Sequence, residues 1–506
     1  MPIAASWTSA WTRAAADLGH LLRFRTATRG RRRFWTGLGV FTTITIAAAV
    51  IPAFSPGAGG DGYAFNLLIL LPSAMAGFLL LAIGSAIASG GGRELVARDQ
   101  VVAFPISPTT DHLGALLLAP LNIAWLIQSW LLLGSASYAL GRHDFVPVVI
   151  GLLPWIAAST AIGQVVAWTF EWLRRLPGGL IAARVIGLAV VLAVAVLQVT
   201  HHLAPVLDRL PTSRLVALMV GGWSWGWAVA VVIMVALFVA ATVLGAVPAT
   251  LAAHRVPREE TSVESGHFRA RPTLRSDLAM MIRIDRASVW RAVPMRRGVT
   301  VLAIGPGLVA IAGGLAWHQL MILPGLVASG GALLFGVNAW TLEGRGILWR
   351  ESLPVEPRTV FAARAWVLFE FLWAASAVTL LLAALRAGPP TSSQLAALLC
   401  TWIVVLGQVV SAGLRWSARS PYSVDLRSAR STPAPPLAMV GYSSKLALTT
   451  TLTSLIFTGL AQVDAWPLSV LVAAPFVGWS AWRLLTVRDR WLEPAERARI
   501  VMTVAG

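Results

Sequence analysis

Two stretches of this chain carry the same charged pattern at turn-forming positions. Gly92-Arg93 and Arg98-Asp99 precede Pro105-Ile106-Ser107-Pro108 by a five-residue spacer; Gly344-Arg345 and Arg350-Glu351 precede Pro354-Val355-Glu356-Pro357 by a two-residue spacer. The shared pattern is Gly-Arg, four residues, Arg and an acid, then paired prolines around a β-branched residue. Glycine and proline stop helices and set turns. Between them, Arg93, Glu94, Arg98 and Asp99 form a compact charged knob, matched by Arg345, Arg350 and Glu351, with Gly346 standing where the first copy has Glu94. A knob of both charge signs has the chemistry of docking rather than of catalysis; the alternative is an ordinary positive-inside loop whose arginines anchor at lipid headgroups.

Other chemistry is thin. The 506 residues are 57% hydrophobic and 12% charged, with mean hydropathy +0.73. That much apolar surface needs lipid as its solvent. The net charge of +18 does not point to nucleic acid, because the arginines lie in short loops between apolar runs, as in membrane topology signals. A phosphate-binding loop needs a lysine that reaches the phosphates. Lys445 is the only lysine, flanked by Ser444 and Leu446, so an ATP site is not expected in this chain. Cys400 is the only cysteine and lies in an apolar run, which excludes internal disulfides and cysteine metal sites. The histidines are scattered apart from His201-His202, and Asp61, Asp144, Asp208 and Asp464 are isolated. Neither a metal cluster nor a carboxylate pair for acid–base work is expected.

A spanning helix needs about 20 apolar residues. Twelve such runs occur, near 34–54, 64–89, 112–140, 146–170, 178–200 and 215–248, then 298–316, 320–342, 360–385, 392–414, 437–462 and 465–487. With the N-terminus inside, 33 basic residues fall in inner segments and 4 (Arg142, Arg209, Arg214, Arg386) in outer ones. That asymmetry places both termini in the cytoplasm. The expected fold is therefore an all-α polytopic membrane protein of about twelve transmembrane helices, arranged as two parallel six-helix repeats. The expected organisation is a basic amphipathic segment (1–33), a first six-span half (34–248), a cytoplasmic linker that becomes amphipathic at 278–293 (249–297), a second half (298–487) and a cytoplasmic tail (488–506). The N-terminal segment has no signal-peptide cleavage site and offers Trp7, Trp11, Leu18, Leu21, Leu22 and Phe24 to a membrane surface. Residues 201–214 read as an external interfacial helix with no counterpart in the second half, where residues 462–464 form a tight turn.

Polar groups inside lipid are costly and concentrate at functional or packing positions. Asn122, Gln128, Gln164, Asn338, Glu370 and Gln408 fall inside the runs and are the candidates for a translocation path. Glu370 is the sole acid well inside a run, which argues against proton-coupled transport. The neutral amides also suit interhelical hydrogen bonding.

A basic N-terminal segment, two spans, and a charged loop ending in Phe104-Pro105-Ile106-Ser107-Pro108 before the third span resemble the permease subunits of type-two ABC exporters; Leu353-Pro354-Val355-Glu356-Pro357 matches less closely. The external helical segment between the fifth and sixth spans is also similar. The resemblance implies that two copies of a separate ABC ATPase bind ATP and Mg and grip this chain through Arg93, Glu94, Arg98, Asp99, Pro105, Pro108, Arg345, Arg350, Glu351, Pro354 and Pro357. It implies export of a hydrophobic small-molecule cargo (drug, antibiotic or lipid) across a bacterial cell membrane, with no enzymatic site and no cofactor of this chain's own. A secondary transporter of the major-facilitator kind shares the span count, but the order Gly92-Arg93-Glu94-Leu95-Val96-Ala97-Arg98-Asp99 differs from that family's loop. A membrane-embedded lipid or polysaccharide enzyme is the third reading, and the lack of paired external acids counts against it.

Overall fold

The computed structural model describes residues 11–21, 23, 31–88, 106–121, 123–200, 202, 205–206, 209–255, 274–424 and 434–506. Arg93, Glu94, Arg98, Asp99, Pro105 and Asn122 lie outside them, as does much of the external segment at 201–210. The described residues are helical, without strands. They fall into two compact units, 1–268 and 269–506.

The first unit contains α1 (Arg31–Val50), α2 (Tyr63–Ala88), α3 (Pro108–Leu118), α4 (Ile123–Arg174), α5 (Gly179–Val199), α6 (Pro211–Val220) and α7 (Trp225–Ala253). In lipid the hydrophobic effect does not drive helices together, so packing and interhelical hydrogen bonds must. Leu71, Met75, Phe78, Leu152, Trp155 and Met219 form the centre of the unit. Indole N–H groups stitch the helices around it. Trp155 donates to Met75 O at 3.1 Å, Trp227 to Pro147 O at 2.8 Å, Trp130 to Thr45 Oγ1 at 3.0 Å and Trp125 to Thr160 Oγ1 at 2.7 Å.

α4 is two helices joined at Gly141, whose backbone (φ 68°, ψ −175°) is closed to L side chains. The joint packs on the loop after α1. Gly59 N–H donates to Tyr138 O at 2.9 Å, and a Cβ on Gly141 would lie 2.9 Å from Gly59 Cα. The sixth expected span begins later than its apolar run. Residues 211–220 form a separate short helix, Gly222 takes a positive φ of 72°, and Ser224 Oγ caps α7 by accepting from Trp227 N.

The second unit contains α8 (Asp277–Arg291), α9 (Val293–Gly313), a turn at Trp317–Leu320, α10 (Ile322–Leu334), α11 (Ile347–Glu351), α12 (Pro357–Ala387), α13 (Ser392–Arg419), α14 (Pro436–Leu460), α15 (Trp466–Leu492) and α16 (Pro494–Ala505). The run expected to span 320–342 is interrupted. α10 ends at Leu334, and a 3₁₀ stretch, Gly336–Thr341, follows with Asn338 off the helical path (φ −146°, ψ 63°).

Seven helical stretches among the described residues are long and apolar enough to cross a bilayer: Tyr63–Ile87, Gln128–Arg174, Trp225–Ala253, Trp317–Thr341, Pro357–Ala387, Ser392–Arg419 and Trp466–Leu492. The protein is thus an α-helical, membrane-embedded chain.

Gly141→Ala adds a Cβ to a left-handed residue already touching Gly59. It should destabilise the first unit by about 1–3 kcal/mol, read as a lower melting temperature of the detergent-solubilised chain. Gly187→Ala, where nothing lies within 4 Å of the added carbon, should not.

Candidate functional site

The connection between α10 and α12, which holds the second charged motif, is a packed element. Its centre is a cluster of four buried ionised side chains from four places in the sequence. Asp285 comes from α8, Glu343 from the turn after the 3₁₀ stretch, Arg350 from α11 and Arg364 from the second turn of α12. Asp285 is fully buried, and Arg350 and Arg364 are 4% and 2% exposed.

Both guanidiniums converge on the same two carboxylates. Arg364 donates to Asp285 through Nε and Nη2 at 3.0 and 3.1 Å, and Arg350 through Nη1 and Nη2 at 2.7 and 3.4 Å. Glu343 Oε1 accepts from Arg364 Nη2 at 2.6 Å and from Arg350 Nη1 at 2.7 Å. Two positive and two negative charges cancel, which is the condition for burying any of them. The planar five-donor fork of arginine suits this double bridging, and lysine could not reproduce it.

The two carboxylates titrate as a pair. Burial would raise Glu343, but Arg364 and Arg350 outweigh it and hold the carboxyl at about 2. Burial pushes Asp285 upward against the pull of Arg364 and Arg350, and the negative charge of Glu343 adds to the rise.

Aromatic and polar groups fix the cluster in place. The Arg364 guanidinium lies 5.5 Å from the centre of the Trp340 ring, in cation–π geometry. Trp340 stacks on Trp491 at 3.8 Å and 3°, and Trp491 Nε1 donates to Pro357 O at 3.1 Å. The break after α10 frees backbone groups that side chains then occupy. Arg364 Nη1 donates to Ala339 O, Ala339 N–H to Ser417 Oγ at 2.8 Å, Ser417 Oγ to Gly336 O at 2.8 Å, and Asn338 Nδ2 to Tyr422 O at 2.8 Å. The C-terminal helix closes the outside. Arg497 Nε donates to Glu351 Oε1 at 2.6 Å, and Arg499 Nη2 to Ala418 O at 2.8 Å.

The expected docking residues therefore separate. Arg350 faces inward, and its guanidinium is not available for direct contact with a partner. Glu351 is at the surface and paired with Arg497. Only the backbone of Arg345 is described, on the turn where Gly344 takes a φ of 54°. Pro354 lies in the turn before α12. Pro357 is the first residue of α12, and Pro108 holds the same position in α3, where Ser107 Oγ accepts from Thr110 N at 3.0 Å. The final proline of each motif thus starts the helix that follows.

Within the second unit, each of the intramembrane candidates has a protein partner. Gln408 exchanges hydrogen bonds with Thr453 at 3.1 and 3.2 Å, and Asn338 holds the helix break. Glu370 pairs with Arg286 of α8 at 2.8 Å. Gln128 is half-buried and Gln164 buried, both in α4. α12, α13 and α15 enclose an open apolar groove of about 430 Å³, lined by Trp366, Phe369, Ile403, Gly407, Val410 and Leu484.

Asp285 and Glu343 were not among the residues singled out in the sequence. The sign of Asp285 was present: Met281, Asp285 and Val289 are the buried positions of α8, four residues apart, so an acid stands in the middle of an apolar stripe. No family model, no curated protein and no solved structure matches the chain.

Arg364→Met leaves a buried carboxylate uncompensated and should cost about 3–5 kcal/mol of stability. Combining it with Asp285→Asn, which restores neutrality, should recover part of that loss. Thermal unfolding of the purified chain compares the two; equal losses would refute charge balance as the governing factor.

Proposed function

We propose that this chain is the permease of an ATP-driven exporter in a bacterial cell membrane, coupled through its cytoplasmic connections to a separate ATPase dimer that holds ATP and Mg. The observation that carries this reading is the α10–α12 connection. A loop that served only to set topology would need no internal structure. This one is braced by a cluster of four charged side chains, a tryptophan stack and a C-terminal clasp, and it is continuous with the first turns of α12. A push on its outer surface is delivered to α12 as a rigid-body displacement, because packed, fully bonded elements move as units.

Twelve spans in two parallel six-span repeats, with both termini inside, belong to the same proposal. Gln128–Arg174 has 47 residues, roughly 70 Å of helix, more than twice the hydrocarbon thickness, and it is broken at Gly141 beside Arg142. It therefore reads as two crossings. α1, α5, α9 and α14 coincide with the remaining apolar runs. The equivalent places of Pro108 and Pro357 support the repeat. The groove between α12, α13 and α15 favours a hydrophobic or amphiphilic cargo. A secondary transporter would need a free intramembrane titrating group, and Glu370 is tied to Arg286.

Affinity purification of the chain from its native membrane should retain an ATPase bearing a phosphate-binding lysine motif, and transport should stop with vanadate. Charge reversal at Glu94 or Arg98 should weaken ATPase association by roughly tenfold or more and separate ATP hydrolysis from transport. Transport that ignores vanadate and collapses with an uncoupler would overturn the proposal in favour of a secondary transporter.

A further inference from the structure

A second charged cluster in the same unit has the opposite character: it is all positive. α13 carries Arg415 and Arg419, and α15 carries Arg483 and Arg490. The two helices pack along each other. Near their starts, Ser393 Oγ lies 3.2 Å from Asp464 Oδ1, so they run in the same direction and bring their arginines to one end. There Arg419 is within electrostatic reach of Arg415 and Arg490, and Arg483 of Arg415 and Arg419. Among the described residues none of the four has an acidic partner. Arg488, their neighbour, does, in Asp489 at 2.8 Å.

Four guanidiniums repelling one another at the end of two apolar helices need an anion. Among the described residues, neighbouring donors also go unused. Arg483 Nε, Trp416 Nε1 and Tyr442 Oη are buried without a hydrogen-bond partner. Trp416 and Tyr442 are in ring contact at 5.3 Å, and Tyr442 is within electrostatic reach of Arg483. Tyr442 is 2% exposed. Buried donors are normally satisfied, so three in one neighbourhood, beside four charges without an acidic partner among the described residues, describe a site short of an oxygen-rich anion.

Depth identifies the source of that anion. Arg483 lies seventeen residues beyond Trp466, roughly 25 Å along the helix, and Arg415 lies roughly 35 Å beyond Ser392. In a bilayer with a hydrocarbon core of about 30 Å, both sit at the boundary where lipid phosphates concentrate. Arginine forks match phosphate oxygens in pairs.

We propose that Arg415, Arg419, Arg483 and Arg490 form a headgroup site for an anionic phospholipid. The proposal is independent of any cargo or ATPase. The test uses the full-length chain purified in neutral detergent and titrated with phosphatidylglycerol, with phosphatidylcholine, or with inorganic phosphate, following melting temperature and lipid retained in native mass spectrometry. Phosphatidylglycerol should raise the melting temperature and be retained, and the other two should not. Arg483→Gln and Arg415→Gln should each weaken retention roughly fivefold, whereas Arg386→Gln, at the end of α12, should leave it unchanged. Equal protection by phosphatidylcholine, or by inorganic phosphate, overturns the assignment to an anionic lipid. So does retention unaffected by the two α13 and α15 substitutions. Should Arg483→Gln fail to fold, the three wild-type titrations still decide.

Discussion

The second unit depends on a balance of charge that no single segment can supply. Asp285 is buried completely, and a carboxylate at such a depth is tolerated only beside compensating cations. Two arginines provide the compensation, and two arginines with one acid would leave an excess that Glu343 removes. Each member is affordable only because the other three are present, so α8, the turn at Glu343, α11 and α12 must assemble together. The break after α10 follows from the same constraint. Arg364 takes the Ala339 carbonyl, which a continued helix would have kept for itself, and Asn338 and Ser417 satisfy the neighbouring groups. A helix interrupted at membrane depth is stable only where protein groups replace the lost ladder, and here Arg364 of the charge cluster and Ser417 of α13 supply the replacements.

The first unit solves its packing without such a device. Its helices are joined by indole-to-carbonyl and indole-to-hydroxyl bonds and by the Gly59–Gly141 contact. These bonds join neutral groups, so each can be lost without stranding a charge; a charged side chain, Arg175, reaches the Arg255 carbonyl at 2.9 Å while paired with Glu171 of α4. The second unit binds its helices through interactions that fail together. Long apolar helices thus lie next to a cooperative polar core within one unit.

Much of the helical framework was legible in the sequence because apolar runs of about 20 residues have few alternatives in a bilayer. The boundaries were not. Nothing in the apolar run over 320–342 marks the stop at Leu334, since the groups that stabilise it come from Ser417, Tyr422 and Arg364, which are distant in the chain. The apolar run from 215 puts the start of α7 ten residues early, although Gly221-Gly222 and Ser224 stand before Trp225 as a glycine break and a capping serine. The motif at 344–357 was visible as charges and prolines, but the pattern does not reveal which arginine turns inward. That depends on Asp285, 65 residues earlier. The identity of a buried cation is set by where its anion lies, and only the fold brings the two together.

That inward turn bears on how the repeated motif can work. Its two charged ends divide between anchoring and display: Arg350 is consumed by the interior, while Glu351, the next residue, reaches the surface and meets Arg497 of α16. A docking surface built on mobile side chains would absorb an applied force by bending. A surface whose next residue is bonded to Asp285 of α8 and to Glu343, the two carboxylates that also hold Arg364 of α12, cannot bend without breaking a neutral cluster, at a cost of several kcal/mol. In the proposed coupling, force arriving at Glu351 or at the adjoining turn would be carried into α12, and from α12 into the wall of the apolar groove, which Trp366 and Phe369 line two and five residues beyond Arg364. The buried charges give the connection its stiffness, and α12 sets the direction in which that stiffness acts.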